Sequence, residues 1–250
     1  MMSTGVLSAS DAYALDQELM GNDRFTLEQL MELAGLAVAE AIVQVLQEEE
    51  DTVSSSSSSS YIWILCGPGN NGGDGLVAAR HLAHFLASSS SIQVVYPKRP
   101  YDKQPHYAKL VQQCEDMGIP IHTELPEEYS TGKENNSRIV LVDAMFGFSF
   151  RGAPRPPFDA LIGEMKSASA TKTTTTVAVD IPSGWSVDDD TSTADWMPDV
   201  LVSLTAPKLC AKRHTGRHFV GGRFLPPALA EKYNIRMPPY PGVQQVMELV

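Results

Sequence analysis

The chain of 250 residues is long enough for a core burying about three quarters of its unfolded surface, and 43% hydrophobic with 20% charged residues is a globular composition. Nineteen basic against thirty acidic residues leave a net charge of −11, and residues 1–51 hold eleven of the acids against one base, Arg24. Such a chain lacks the basic surface that nucleic acid or an anionic membrane requires, so neither is expected as a partner.

No run of eighteen apolar residues occurs, so no membrane span is expected. Asp11, Asp16 and Glu18 argue against a mitochondrial presequence, and no basic region precedes an apolar core as in a secretory signal. Cys66, Cys114 and Cys210 are odd in number and far apart, which favours a reducing compartment over a disulfide scaffold. The expected location is cytoplasmic, with a mitochondrial form from another start as the alternative.

In chain order, Thr26-Leu27-Glu28-Gln29 has capping-box spacing, a hydroxyl and an amide side chain exchanging bonds with orphan backbone donors. Leu27, Leu30, Met31, Ala34, Val38, Ala41, Ile42 and Val45 then recur every three or four residues and predict an amphipathic helix. The Ser-rich stretch 52–60 cannot bury apolar area and reads as a flexible loop insertion. Strands are predicted over Tyr61–Cys66, Ile92–Tyr96, Arg138–Val142, Val177–Asp180 and Val200–Leu204. Helices are predicted over Leu76–Leu86, around Tyr107–Met117 and over Phe158–Lys166. Continuous Val, Ile and Leu runs alternating with helices define parallel strands covered on both faces. The expected architecture is a single α/β domain over 1–250, a doubly wound three-layer sandwich with an N-terminal helical extension.

Ligands of an open α/β sheet bind beyond the carboxyl ends of its strands, and three polar constellations fall there. The first is Gly67-Pro68-Gly69-Asn70-Asn71-Gly72-Gly73-Asp74-Gly75, where glycines permit close backbone approach and a helix start offers free amides. It satisfies GxGxxG, but the second strand ends in Tyr96-Pro97-Lys98-Arg99, without the acid that a dinucleotide ribose needs. Gly73-Asp74 stands where a Walker loop requires Lys-Ser/Thr, and Asp74 would repel a phosphate unless it capped the helix or met a hydroxyl. The second and third constellations are Asp143 at the end of Val140-Leu141-Val142, and Asp180 in Val177-Ala178-Val179-Asp180-Ile181-Pro182-Ser183-Gly184-Trp185. The oxygens of Asn71, Asp143 and Ser183 suit a hard cation, and a desolvated Asp180 suits general acid–base work. A cap or turn former is the alternative for either aspartate taken alone.

Residues 200–230 hold five bases, Lys208, Lys212, Arg213, Arg217 and Arg223, and no acid. They read either as a phosphate-facing island or as a surface balanced by acids elsewhere. His214 and His218 are four apart, but Gly216 between them disfavours a metal-binding helix, and Ser183 lacks the Gly-x of a nucleophile elbow.

Together these motifs, with Phe146-Gly147-Phe148, Gln29–Gly35, Tyr96–Pro100 and Leu204–Lys208, resemble the NAD(P)H-hydrate epimerase family, also called the YjeF N-terminal domain family. The likeness runs from about Ser8 to Pro241. It implies a Rossmann-like fold and interconversion of the R and S epimers of hydrated NADH and NADPH (NADHX and NADPHX), a repair of damaged cofactor. It implies substrate contacts from Asn70, Asn71, Gly72, Gly73 and Asp74, from Gly147, Phe148, Ser149, Phe150, Arg151, Gly152 and Ala153, and from Asp180. Asn71, Asp143 and Ser183 match the family's potassium ligands. A homodimer is implied too, as is an ATP- or ADP-dependent dehydratase, expected on a separate chain because this one stops at Val250. Arg151 and Ala153 stand where Lys and Asp are often found.

The hydrate is a carbinolamine with its hydroxyl on C6 beside the ring nitrogen. Inversion needs C–O cleavage to an iminium, or ring opening to an aldehyde, then closure on the other face. Either route needs a proton carrier at the hydroxyl, which is the role expected of Asp180, with Lys208 as lesser electrostatic help. Two rivals predict other signs. A non-catalytic nucleotide-binding or scaffold module of the same fold would have lost the glycine-turn asparagines or a strand-end Asp. A dehydrogenase would carry an acid near the end of strand 92–96.

Overall fold

The apolar runs pair in parallel, as burial on both faces requires. One sheet contains β1 (Ser60–Cys66), β2 (Ser90–Val95), β3 (Ile121–His122), β4 (Arg138–Ala144), β5 (Thr174–Val179), β6 (Val200–Leu204), β7 (Arg217–Gly221) and β8 (Val246–Glu248). Their spatial order is β3-β2-β1-β4-β5-β6-β7-β8, all parallel except β8, which runs antiparallel to β7. The computed structural model describes residues 5–21, 24–52, 60–86, 90–99, 105–129, 138–170, 174–191 and 196–249, with backbone alone for 49–52.

The chain leaves β1 toward β2 and β3, then returns to β4 on the other side, so the sheet switches direction between β1 and β4. That is where ligands of such sheets bind. Strand residues alternate between two cores. Ile62, Ile64, Val140, Val142, Val177 and Val202 face the layer of α2 (Leu27–Thr52), α3 (Asn70–Leu86) and α4 (His106–Asp116). Trp63, Leu65, Leu141, Ala178 and Leu201 face α5 (Phe158–Ser169).

The N-terminal helices pack onto this body. The capping box of α2 forms: the Thr26 amide donates to Gln29 Oε1 at 2.9 Å, and the Gln29 amide donates to Thr26 Oγ1 at 3.2 Å. By length and composition α2 is apolar enough to cross a membrane, yet 61% of its most apolar window is buried inside the protein. α1 (Ala9–Met20), not expected from the sequence, buries Ala12, Leu15 and Leu19 against α6 (Pro227–Lys232) and Ile235. Of the Ser-rich insertion, residues 53–59 lie outside the described residues; Thr52 ends α2 and a buried Ser60 opens β1.

Where the sequence predicts a helix from Leu76, α3 begins at Asn70. The glycines that read as a turn are the helix's first residues, kept small by packing. A Cβ on Gly72 would overlap the Gly67 carbonyl, and one on Gly75 would crowd Ala144 Cβ at 2.7 Å. The short strands β3, β7 and β8 are also additions. Paired on both sides, β7 is held by its neighbours although it opens with Arg217 and His218.

Candidate active site

At the carboxyl ends of β1, β4, β5 and β6 lies a cavity of about 610 Å³, within the size range of small-molecule sites. Its floor is Asp180, 5% exposed, immediately after β5. The Asp180 amide donates to Val202 O at 2.8 Å, which holds the residue at φ 65°. One strand over, Thr205 is left-handed too, at φ 67°, with its amide bonded to Gly221 O at 2.9 Å. Left-handed non-glycine residues cost about 1–3 kcal/mol each and persist where neighbours over-determine them. Both line the cavity.

Lys208, 3% exposed, donates to Asp180 Oδ1 and to Leu204 O at 2.8 Å, 5.4 Å from the centroid of the Phe148 ring. Behind this pair, Asp143 is fully buried. Its Oδ1 accepts from Ser183 Oγ at 2.7 Å and the Met145 amide at 3.1 Å, and its Oδ2 from the Ser183 amide at 2.6 Å. Burial pushes its carboxyl up to about 6, although these bonds pull the other way.

Helix α3 supplies the next wall. Asn71 Nδ2 donates to Val179 O at 3.3 Å, beside the Asp180 peptide. Asn70 Oδ1 accepts from the Tyr107 hydroxyl at 2.8 Å. A Cβ on Gly147 would stand 3.4 Å from Asn71 Oδ1 and 3.5 Å from Asp180 Oδ2, so this glycine leaves both side chains open to the cavity. Burial, then the charges of Asp180 and Asp16, hold the Asp74 carboxyl well above the usual range, against the pull of Lys208.

Of the residues expected to touch substrate, Asn70, Asn71, Asp74, Gly147, Phe148, Ser149, Phe150, Arg151 and Asp180 line the cavity. Gly72 and Gly73 do not; they are packed under the Gly67 carbonyl and the Met31 thioether. Gly152 and Ala153 are exposed outside the lining, and Arg151 turns back to donate to Phe148 O at 2.8 Å and Phe150 O at 2.9 Å. Asp143 and Ser183 lie beneath the lining, bonded to each other.

Only Lys208 of the five-base stretch lines the cavity. Lys212 pairs with Asp190 at 3.5 Å, Arg213 with Asp189 at 3.8 Å, and Arg217 grips Glu248 through two bonds of 2.7 Å. Arg223 donates to Gly242 O at 2.6 Å. Lys212, Arg213 and Arg217 belong to a balanced surface, because acids distant in sequence fold back onto them, whereas Arg223 is held by backbone carbonyls. His218 Nε2 meets Ser203 Oγ at 2.9 Å, and among the described residues no group of three His, Cys, Asp or Glu could hold a metal ion.

Sequence reasoning missed the wall made by α1. Tyr13, Asp16, Gln17 and Met20 line the cavity, joined by Leu30, Met31 and Ala34 of α2. The acid-rich N-terminal segment, remote in sequence, is adjacent in space. Two signals could have found α1: the cap of Ser8 on the Asp11 amide, and the spacing of Ala9, Ala12, Leu15 and Leu19.

A switch-point cavity with a glycine-led helix on one side and two strand-end aspartates below defines a Rossmann-like α/β protein with a candidate small-molecule site. The chain belongs to the family described as YjeF-related protein N-terminus, whose model matches residues 27–210. It is 43% identical to the NAD(P)H-hydrate epimerase of Neurospora crassa over 99% of this chain and 97% of that protein. It is 40% identical to that of Schizosaccharomyces pombe over the same shares, 99% and 97%. Pyridoxine/pyridoxamine 5'-phosphate oxidase 1, chloroplastic, of Arabidopsis thaliana is 47% identical over 97% of this chain, which spans 44% of that protein's length. The crystal structure of yeast ynu0 superposes with a TM-score of 0.87 at 37% identity, covering 98% of this chain and 100% of the yeast one.

Proposed function

We propose that this protein is an isomerase that interconverts the R and S epimers of NADHX and NADPHX. The observation that carries this reading is Asp180, a left-handed strand-end carboxylate paired with buried Lys208 on the floor of the cavity. Relatives spanning nearly the whole chain and bearing the epimerase name support it.

Asp180 is the carboxylate that exchanges a proton with the oxygen at C6. Lys208 fixes one carboxylate oxygen, so the other, Oδ2, is presented beside Gly147. Met31, Phe146 and Phe148 add apolar surface to the cavity, which strengthens the electrostatic contacts made there. Asp74, held toward its neutral form, is able to donate to a substrate hydroxyl where a carboxylate would repel a phosphate. Asn70 and Asn71 offer amide contacts from the start of α3.

The fold family implies potassium, and the donors fit it: an amide, a hydroxyl and a carboxylate, all oxygen, with Asp143 buried among neutral partners only. Asn71, Asp143 and Ser183 would hold the ion, which would supply fixed positive charge behind the loop that starts at Met145. The same proposal includes a homodimer, a dehydratase partner using ATP or ADP, and a cytoplasmic location that suits three free, buried cysteines. The scaffold reading is not favoured, because the asparagines and both strand-end aspartates are present and assembled. The test adds the protein to the epimer that a stereospecific dehydratase rejects. The expected outcome is its consumption; persistence at the spontaneous rate would refute the reading.

A further inference from the structure

Tyr13, Asp16, Gln17 and Met20 occupy one face of α1 at helical spacing, and all four line the cavity. This helix precedes the segment that the family's model matches, 27–210. Its position is nevertheless tied to the reacting centre. The Leu7 amide donates to Pro207 O at 2.9 Å and the Leu209 amide to Leu7 O at 2.9 Å, so the N-terminal segment grips both neighbours of Lys208. The Ala9 amide donates to Asp188 Oδ1 at 2.7 Å. Asp16 is half-buried and takes no hydrogen bond from the described residues, unlike Asp180, Asp143 and Glu18.

We propose that Asp16 is a second proton-carrying carboxyl of the epimerisation, reaching the reacting hydroxyl from the α1 wall while Asp180 works from the strand ends; this rests on the epimerase reading. Burial, with the charge of Asp180, raises the Asp16 carboxyl against the pull of Lys208, which favours a proton on Asp16. Other titratable and charged groups around α1 include Asp74 on α3, Asp188 at the Ala9 amide, Asp11 at the Ser8 hydroxyl, Arg151 across from Tyr13, Arg24 donating to Glu18 O, and Glu18, bonded to Lys232 and to the Tyr233 hydroxyl at 2.8 Å.

The step balances without an oxidant. The C6–O bond breaks with its electron pair on oxygen, the Asp16 proton joins that oxygen, and water leaves. The ring-nitrogen lone pair forms the N1=C6 iminium. Water then adds to the other face, the π pair returns to nitrogen, and the released proton goes to Asp180. The reverse direction starts from protonated Asp180, and solvent exchange resets the two carboxyls.

The test compares epimer interconversion by wild type, Asp16→Asn and Asp16→Glu across pH. The expected result is a maximal rate at least about 100-fold lower for Asp16→Asn with KM little changed. The alkaline fall of the wild-type pH–rate curve should be lost, and Asp16→Glu should recover part of the rate. A full rate in Asp16→Asn, or a change confined to KM, overturns the assignment of Asp16 alone. An inactive wild type overturns the epimerase reading and this assignment with it.

Discussion

The cavity has two walls of different construction. The strand-end wall places its residues by backbone bonds to neighbouring strands: Asp180 to Val202 and Thr205 to Gly221. The α1 wall is placed by apolar packing of Ala12, Leu15 and Leu19, one serine cap and the short pairing of Leu7 beside Lys208. Backbone ladders over-determine position and can sustain strained residues. A helix resting on side chains encloses the site but opens more readily.

Removing Lys208 should break the first wall most severely. Lys208→Met leaves the Asp180 carboxylate buried without its cation, and the expected cost is about 4 kcal/mol by denaturant unfolding. A loss under about 1 kcal/mol would mean that the pair is not insulated from water. The second wall should give way more gently. Leu15, 1% exposed, loses its packing in Leu15→Ala at a cost of about 3 kcal/mol. Amide exchange should then quicken over residues 9–20 while β1 and β4 stay protected. Equal quickening in both would show that the walls unfold as one unit.

The same contrast decides what the sequence could reveal. Asp143 and Asp180 were legible because each ends an uninterrupted apolar run, and such runs belong to buried parallel strands. The alternation of strand and helix implies a parallel sheet, but the order that brings the two aspartates beside the glycine turn emerges only in the fold, where β4 returns beside β1. The start of α3 was misread because Gly72, Gly73 and Gly75 signal a turn locally, whereas their small size is demanded by Gly67, Met31 and Ala144 across the fold. Nothing local reports that demand. α1 escaped because Asp11, Asp16 and Glu18 read only as charge, while the apolar spacing between them is four residues of modest size. The stretch from Lys208 to Arg223 misled in the opposite sense, since its balancing acids include Glu248, thirty-one positions from Arg217. Charge counted along the chain does not show which charges meet.

The most direct measurement of the central claim is the rate at which separated R and S epimers interconvert with wild type and with Asp180→Asn, both shown folded by cooperative thermal unfolding. The asparagine variant is expected to lose at least about 100-fold in rate, the contribution of a positioned proton carrier. An Asp180→Asn protein that interconverts the epimers at the wild-type rate would contradict the claim.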